Sequence, residues 1–504
     1  MKFMTFFRSK NKILLSVVTL LAMLLLLNMY LTNMFTMGAF YNSDALYVPD
    51  IVSDILVDYR AILSWNLSRA PSFFDIFIFL IINSLFDSYI SIAIFFIVQV
   101  LITVILTHKI YRVSFNEELS VIATCSSIMA ICYILLNQIH PYFTMLKSAH
   151  HYSEFIIWLV SSYYLLCFLK NPLRKSLYLP MVLFFLACIS DQLYYIHFVI
   201  PALIFCSVYI FISKPEYKGK IIKALILMLI SSLLAIYISS LMFINNESEI
   251  KIDINLSNVI KDFKQLYSYV LFLNTKSIII LFINVVFYIM CFIKVIKKDK
   301  NYEWIIFYLF SLFVSILLLA ISPSSNILGR YLLPYIFVPF LFFFLIVSPS
   351  FLQYKKPLLW ITLAILTMYN LSIYKYKEWS YRYYPDHVSC VDSALKKRNI
   401  KSIIGDYWVA RHYTFLSHAN IIVTPFKLGF TRDTIVSRRG EFSDSFSGVL
   451  VDSIDGRGFK QGEVIKQLGI SKEVIKCPKV TLLIYNKGSL IKNDRKILIN
   501  NENL

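Results

Sequence analysis

An abrupt change of character near Tyr374 constrains this chain more than any other feature: about eleven long apolar runs precede it, and about 130 residues of ordinary polar composition follow. Backbone amides inside hydrocarbon must bond to one another, so runs of this length read as membrane-spanning helices. The expected fold is an all-α polytopic membrane domain of about eleven transmembrane helices over residues 1–374, followed by a small mixed α/β extracytoplasmic domain over 375–504. Composition agrees, with 58% hydrophobic, 16% aromatic and 16% charged residues. The spans read as Ile13 to Phe35, Tyr89 to Thr107, Val121 to Asn137, Phe155 to Leu169, Leu177 to Ser190, Tyr194 to Ile212, Ile221 to Ile244, Val270 to Phe292, Trp304 to Ile321, Tyr331 to Val347 and Leu358 to Ile373. Phe73 to Phe86 is apolar but interrupted by Asp75, and reads as interfacial or re-entrant.

Basic residues set the orientation. They crowd alternate loops, at Lys2, Arg8, Lys10 and Lys12, then Arg174 and Lys175, then Lys214, Lys218, Lys220 and Lys223, then Lys294, Lys297, Lys298 and Lys300. The intervening loops are longer yet poorer in basic residues, which places the N-terminus in the cytoplasm and everything after Tyr374 outside. This orienting set accounts for most of the net charge of +19, so no nucleic-acid partner is expected. The first run follows a basic stretch as in a signal peptide, but it has no small-residue cleavage site and reads as a retained helix.

The first outer loop, 36–88, carries its own helix over 50–63: Ile51, Val52, Ile55, Leu56, Tyr59, Ile62 and Leu63 recur at helical spacing, while Asp50, Asp54 and Asp58 line another face. Such a helix suits a membrane surface. The tail alternates patterns: a helix beginning at Asp386, a strand at Ser402 to Ile404, a helix around Tyr407 to Phe415, strands at Ile421 to Val423 and Val449 to Val451, a helix at Glu463 to Leu468, and strands at Glu473 to Lys476 and Val480 to Tyr485. Six of the eight cysteines fall in apolar runs, while Cys390 and Cys477 share the exported tail, either as a disulfide or as two free thiols.

Few residues here carry chemistry. Asp44 directly follows the first span and reads as either a base for a hydroxyl or a helix cap. Arg330 stands where an outer loop meets an apolar run and suits either a phosphate or a snorkelling anchor. His150, His151 and Glu154, with His140 nearby, fall short of a zinc signature, so no metal is expected. Asp191 and Gln192 read first as turn residues. Walker, dinucleotide, nucleophile-elbow and HExxH patterns are absent, which leaves cytoplasmic nucleotide chemistry unsupported and no cofactor expected.

Taken together, the acid after the first helix, the surface helix, the late Arg330-Tyr331-Leu332-Leu333-Pro334 element and the exported tail resemble the polytopic glycosyltransferases of the GT-C class. Within that class the chain looks most like the bacterial serotype-converting O-antigen glucosyltransferases. The resemblance implies an inner-membrane enzyme that moves a sugar from a polyprenyl-phosphate donor to a glycan or glycolipid acceptor. It places the first-loop acid on Asp44 and the donor-phosphate contact on Arg330, with Tyr331 and Arg69 beside it. The glutamate that follows the acid in many members is Ala45 here, while Tyr47 remains, so Asp50 and Asp54 stay as further candidates. Three rival classes share the architecture: a transporter or flippase of lipid-linked glycans, an O-antigen-type polymerase, and a non-catalytic assembly protein.

Overall fold

The computed structural model describes residues 2–33, 40–65, 72–136, 145–148, 151–170, 178–212, 215–242, 278–298, 302–321, 329–346, 379–427, 429–431, 445–453, 458–486, 490–493 and 496–499, with a few isolated positions between them. The chain separates into two compact units. One comprises Met1–Thr32, Arg69–Phe77 and Ala93–Trp379; the other comprises Asn33–Ser68, Ile78–Ile92 and Ser380–Leu504.

Every regular element described in the first unit is a helix. Its elements are α1 (Lys2–Leu31), α3 (Ser72–Asn83) and α4 (Ser88–Ser114), the last two shared with the second unit, then α5 (Glu117–Leu136), α6 (Tyr152–Lys170) and α7 (Tyr178–Ser190). A continuous path follows, here α8, made of Gln192–Tyr194, a π-helical turn Tyr195–Val199 and Ile200–Ile212. After it come α9 (Pro215–Met242), α10 (Ile278–Ile296), α11 (Tyr302–Ile321), a 3-10 turn at Gly329–Leu332, and α12 (Leu333–Leu341). Among the described residues six helices are long and apolar enough to cross a membrane, and four shorter apolar helices accompany them. The protein is therefore a polytopic helical membrane protein. Large apolar side chains such as Phe211, Ile230, Phe282 and Phe313 remain exposed on these helices, as lipid-facing positions require.

Most of the last expected span, Leu358 to Ile373, lies outside the described residues. Asn370, which is described, donates to the Leu21 carbonyl (3.1 Å) and accepts from Asn28 (2.9 Å), which ties that segment to α1. The α12 helix breaks at Phe342, three residues after Pro339, and the freed Leu341 carbonyl receives the Tyr111 hydroxyl (2.7 Å) and Ser127 Oγ (2.8 Å).

In the second unit α2 (Ser43–Val57) and a 3-10 turn (Tyr59–Ser64) form the first-loop part. The helix starts seven residues before the expected Asp50, because Asn42 caps it: its side chain accepts from the Ala45 amide at 2.8 Å. The C-terminal part is a small mixed α/β domain. A five-stranded sheet has the order β2 (Ile422–Pro425), β1 (Ser402–Gly405), β4 (Gly448–Val451), β6 (Val480–Ile484), β5 (Glu473–Cys477), with β2, β1 and β4 parallel and β6 and β5 antiparallel. A three-stranded antiparallel sheet joins β3 (Ser445–Phe446), β7 (Leu490–Asn493) and β8 (Lys496–Ile499). Helices α13 (Asp386–Lys397), α14 (Tyr407–Leu416) and α15 (Gln461–Leu468) flank the strands. The core gathers Ile404, Phe426, Phe446, Val449 and Leu483. Gly405 is dictated by close packing, since a Cβ there would come within 2.8 Å of Val423 and 3.0 Å of Val409.

Cys390 on α13 and Cys477 at the end of β5 form a disulfide with a Cα separation of 5.8 Å. Arg398 and Glu473 add a bidentate ion pair between the same two elements. Because the bridge closes a loop of 87 residues, replacing both cysteines with serine should lower stability by about 2–5 kcal/mol. Thermal unfolding of the full-length protein, read by protease sensitivity of the tail, is the check; an unchanged midpoint would count against the bridge.

Candidate functional site

Two polar clusters stand out, one in each unit. In the second unit, α14 begins where β1 ends. The chain leaves β1 for β2 on one side, while β4 lies on the other, so the crevice past the carboxyl ends of β1 and β4 is a topological switch point, the usual ligand side of an open α/β sheet. Asp406 caps α14 there through the Trp408 amide (2.8 Å), which aims Tyr407 and Arg411 outward from the first turns.

Both side chains meet the first-loop helix. Tyr407 donates to Asp44 Oδ1 at 2.6 Å, and Ser43 Oγ donates to the Tyr407 and Trp408 carbonyls at 2.5 and 3.0 Å. Arg411 pairs with Asp50 (Nε to Oδ2, 3.2 Å) and donates to the Ser43 carbonyl at 3.1 Å. Its guanidinium lies 5.5 to 5.7 Å from the ring centroids of Tyr47, Tyr407 and Trp65. Trp65 in turn donates to Asp54 Oδ2 at 2.9 Å. All three acids of the sequence reading thus join one network: Asp44 receives a tyrosine, Asp50 an arginine and Asp54 an indole. Burial, and then the Asp44 carboxylate, push the Tyr407 hydroxyl well above its usual range. It therefore stays protonated and fixes the carboxylate's orientation.

A third tie sits behind this network. His412 Nδ1 donates to the Tyr41 carbonyl at 2.8 Å, which leaves its Nε2 as an acceptor for His387 Nε2–H at 3.0 Å. Burial first, then His412 and Lys479, push His387 down to about 4 from 6.5.

In the first unit, helical residues converge on the 3-10 turn that carries Arg330 and Tyr331. Arg330 is the second residue of that turn; its side chain lies outside the described residues, as do Arg69, His140 and His150. His197 comes from the π turn of α8, a local widening often kept for function. It donates through Nε2 to the Tyr331 carbonyl (2.7 Å), and its Nδ1 meets Glu154 Oε1 at 3.2 Å. Neither of those two side chains has any exposed surface. The carbonyls loosened by the π turn are met by Ser311 Oγ on His197 (2.6 Å) and Ser315 Oγ on Ile196 (3.0 Å), and both serines bond the Tyr335 hydroxyl.

Asp191 does cap α8, accepting from the Leu193 amide at 2.9 Å, yet its other oxygen accepts from His151 Nδ1 at 2.6 Å. His151 lies edge-on to the Tyr331 ring, with centroids 5.7 Å apart. Among the described residues no group of three or more metal-ligating side chains forms. Sequence reasoning missed His197, Tyr407 and Arg411. A histidine inside an apolar span was the available signal for the first; the other two belong to an ordinary amphipathic helix and announce nothing.

No protein-family model matches the chain, and no curated protein matches it. What stands is a polytopic helical membrane protein with a C-terminal mixed α/β domain.

Two outcomes follow for the second unit. His387 is held neutral in the fold while the unfolded chain takes up a proton below about pH 6.5, so stability from this group is complete above 6.5 and is lost as pH falls toward about 4. His387→Gln should flatten that part of the stability profile in a pH series of thermal melts. Tyr407→Phe removes a hydrogen bond to a charged group and should lower stability by about 1.5–3 kcal/mol, whereas a neutral result in denaturant titration would remove Tyr407 from the network.

Proposed function

We propose that this protein is a membrane glycosyltransferase that moves a sugar from a polyprenyl-phosphate donor to a surface polysaccharide or glycolipid on the outer face of a bacterial inner membrane. The observation that carries the reading is Asp44: an acid in the first turn of the helix that follows the first span, oriented by Tyr407 from the switch point of the α/β domain. The chain crosses the membrane about eleven times, with its N-terminus cytoplasmic and its tail outside.

The reaction is a single displacement. The acceptor oxygen bonds to the anomeric carbon as the bond from that carbon to the phosphate oxygen breaks. Asp44 takes the acceptor's proton, and Arg330 stabilises the lipid phosphate that leaves with the bonding electrons. Because the leaving group is already a phosphate on a lipid, the reaction needs no nucleotide.

The buried His–Glu and His–Asp pairs favour one other reading, a proton-coupled transporter of lipid-linked glycans, since ionisable groups inside a membrane body commonly serve such work.

Asp44→Asn and Arg330→Ala should each abolish glycan modification at unchanged protein abundance, measured as the mass of surface glycan with and without the gene and with each variant. Full modification by both variants would overturn the site assignment. Substrate movement in vesicles without a covalent product would instead favour the transporter.

A further inference from the structure

Two histidine–carboxylate pairs end on one residue, Tyr331, the neighbour of Arg330 in the chain. His197 of α8 donates from Nε2 to the Tyr331 carbonyl at 2.7 Å, and its Nδ1 meets Glu154 of α6 at 3.2 Å. His151, the N-cap residue of α6, lies edge-on to the Tyr331 ring at 5.7 Å, and its Nδ1 meets Asp191, the N-cap residue of α8, at 2.6 Å. Each pair joins the same two helices, with the histidine supplied by α8 in one and by the cap of α6 in the other.

Local sequence does little to fix the turn they reach. Gly329–Leu332 is a single 3-10 turn, a short form with poor hydrogen-bond geometry, and Leu332 enters α12 without a side-chain cap. What holds it among the described residues comes from across the bundle. A carbonyl can only accept, so Nε2 of His197 carries a proton, and the Nδ1 contact with the Glu154 carboxyl shares a second one. With both ring nitrogens engaged, the imidazole cannot rotate without breaking both contacts.

Neither the His197 nor the Glu154 side chain has exposed surface, so neither can touch a substrate. Stability does not account for the pair either. Apolar residues of similar volume in place of a buried ion pair are often neutral or stabilising, whereas such a pair can hold one arrangement of the elements it joins. The arrangement held here is the backbone beside Arg330.

We propose that His197, oriented by Glu154, is a positioning residue: it holds the Tyr331 carbonyl and so sets where the chain presents Arg330 to a lipid phosphate. This role rests on the transferase reading, in which Arg330 contacts the donor phosphate. Displacement of a contacting group by about 1 Å can cost a reaction about a hundredfold in rate, so a brace remote from the chemistry carries weight.

The test uses the full chain in phosphatidylcholine nanodiscs, titrated with dodecyl phosphate, with dodecanol as the phosphate-free control and native mass spectrometry as the readout. Wild-type protein should bind dodecyl phosphate more tightly than dodecanol, and Arg330→Ala should erase that preference. His197→Asn places its amide near the Nδ1 position, within reach of Glu154 but not of the Tyr331 carbonyl, and should weaken phosphate binding about tenfold or more. His197→Gln carries an N–H close to the Nε2 position and should stay within about threefold of wild type. In an Arg330→Ala background His197→Asn should cost nothing further, a coupling that general loosening of the bundle would not produce.

Wild-type protein supplies a readout that needs no variant to fold. With isotope labels at histidine Nε2 and at the tyrosine carbonyl carbon, solid-state NMR should show a through-space correlation that persists with dodecyl phosphate bound; His412 does not share it, since it meets the Tyr41 carbonyl through Nδ1. Absence of that correlation, equal losses in the Asn and Gln variants, further loss in the double variant, or unchanged phosphate binding in His197→Asn overturns the positioning role. In the last case a failing Arg330→Ala leaves the phosphate contact standing. A wild type with no preference for the phosphate retires Arg330 as the contact and His197 with it. A preference that needs both residues, in a protein that modifies no glycan, retires the transferase reading and keeps the positioning role.

Discussion

In an apolar surrounding every carbonyl released from a helix must find a donor inside the protein, and the first unit is organised around that requirement. The π turn at Tyr195–Val199 and the break after α12 release carbonyls, and serine and tyrosine hydroxyls on neighbouring helices meet them. The buried pairs Glu154–His197 and His151–Asp191 join α6 to α8, the helix that carries the π turn. Departure from regular helix and concentration of polar chemistry are one event here. The irregular turn exists because the polar partners do, and they are ordered because it presents fixed acceptors.

The second unit rests on a different device. A close helix–strand approach at Gly405 sets α14 against β1, and Asp406 starts the helix at the sheet's carboxyl edge. Tyr407 and Arg411 are thereby committed to α2 by direction alone. Arg411 combines an ion pair, a backbone hydrogen bond and three aromatic neighbours, a set of contacts that lysine could not reproduce, because only a planar guanidinium offers donors in its plane while presenting its faces to rings.

Much of this was legible in the sequence for identifiable reasons. The apolar runs and the tail's alternating pattern carry strong local signals, so the strand over Ser402–Gly405 and the helices Tyr407–Leu416 and Gln461–Leu468 lie within two residues of expectation. The start of α2 was not legible from hydrophobic spacing, because it is set by the Asn42 side chain. Pairings across the chain were invisible for another reason. Asp44 finds Tyr407 at a separation of 363 residues, and His197 reaches Tyr331 across 134, distances at which composition and periodicity hold no information. Asp191 shows the mixture: its capping role is local and readable, whereas its grip on His151 is tertiary.

The interleaving of the two units has a temporal consequence. Residues of the first loop leave the ribosome early, yet Ser43 bonds to Tyr407, 364 residues later. At roughly 5–20 residues per second, the apolar face of α2 spends about 20 to 70 seconds of synthesis without its permanent neighbour. The nascent chain must keep that helix from wrong associations while the spans are threaded one after another. Shelter at the lipid headgroups, for which its amphipathic pattern is suited, is the simplest way to bridge the delay.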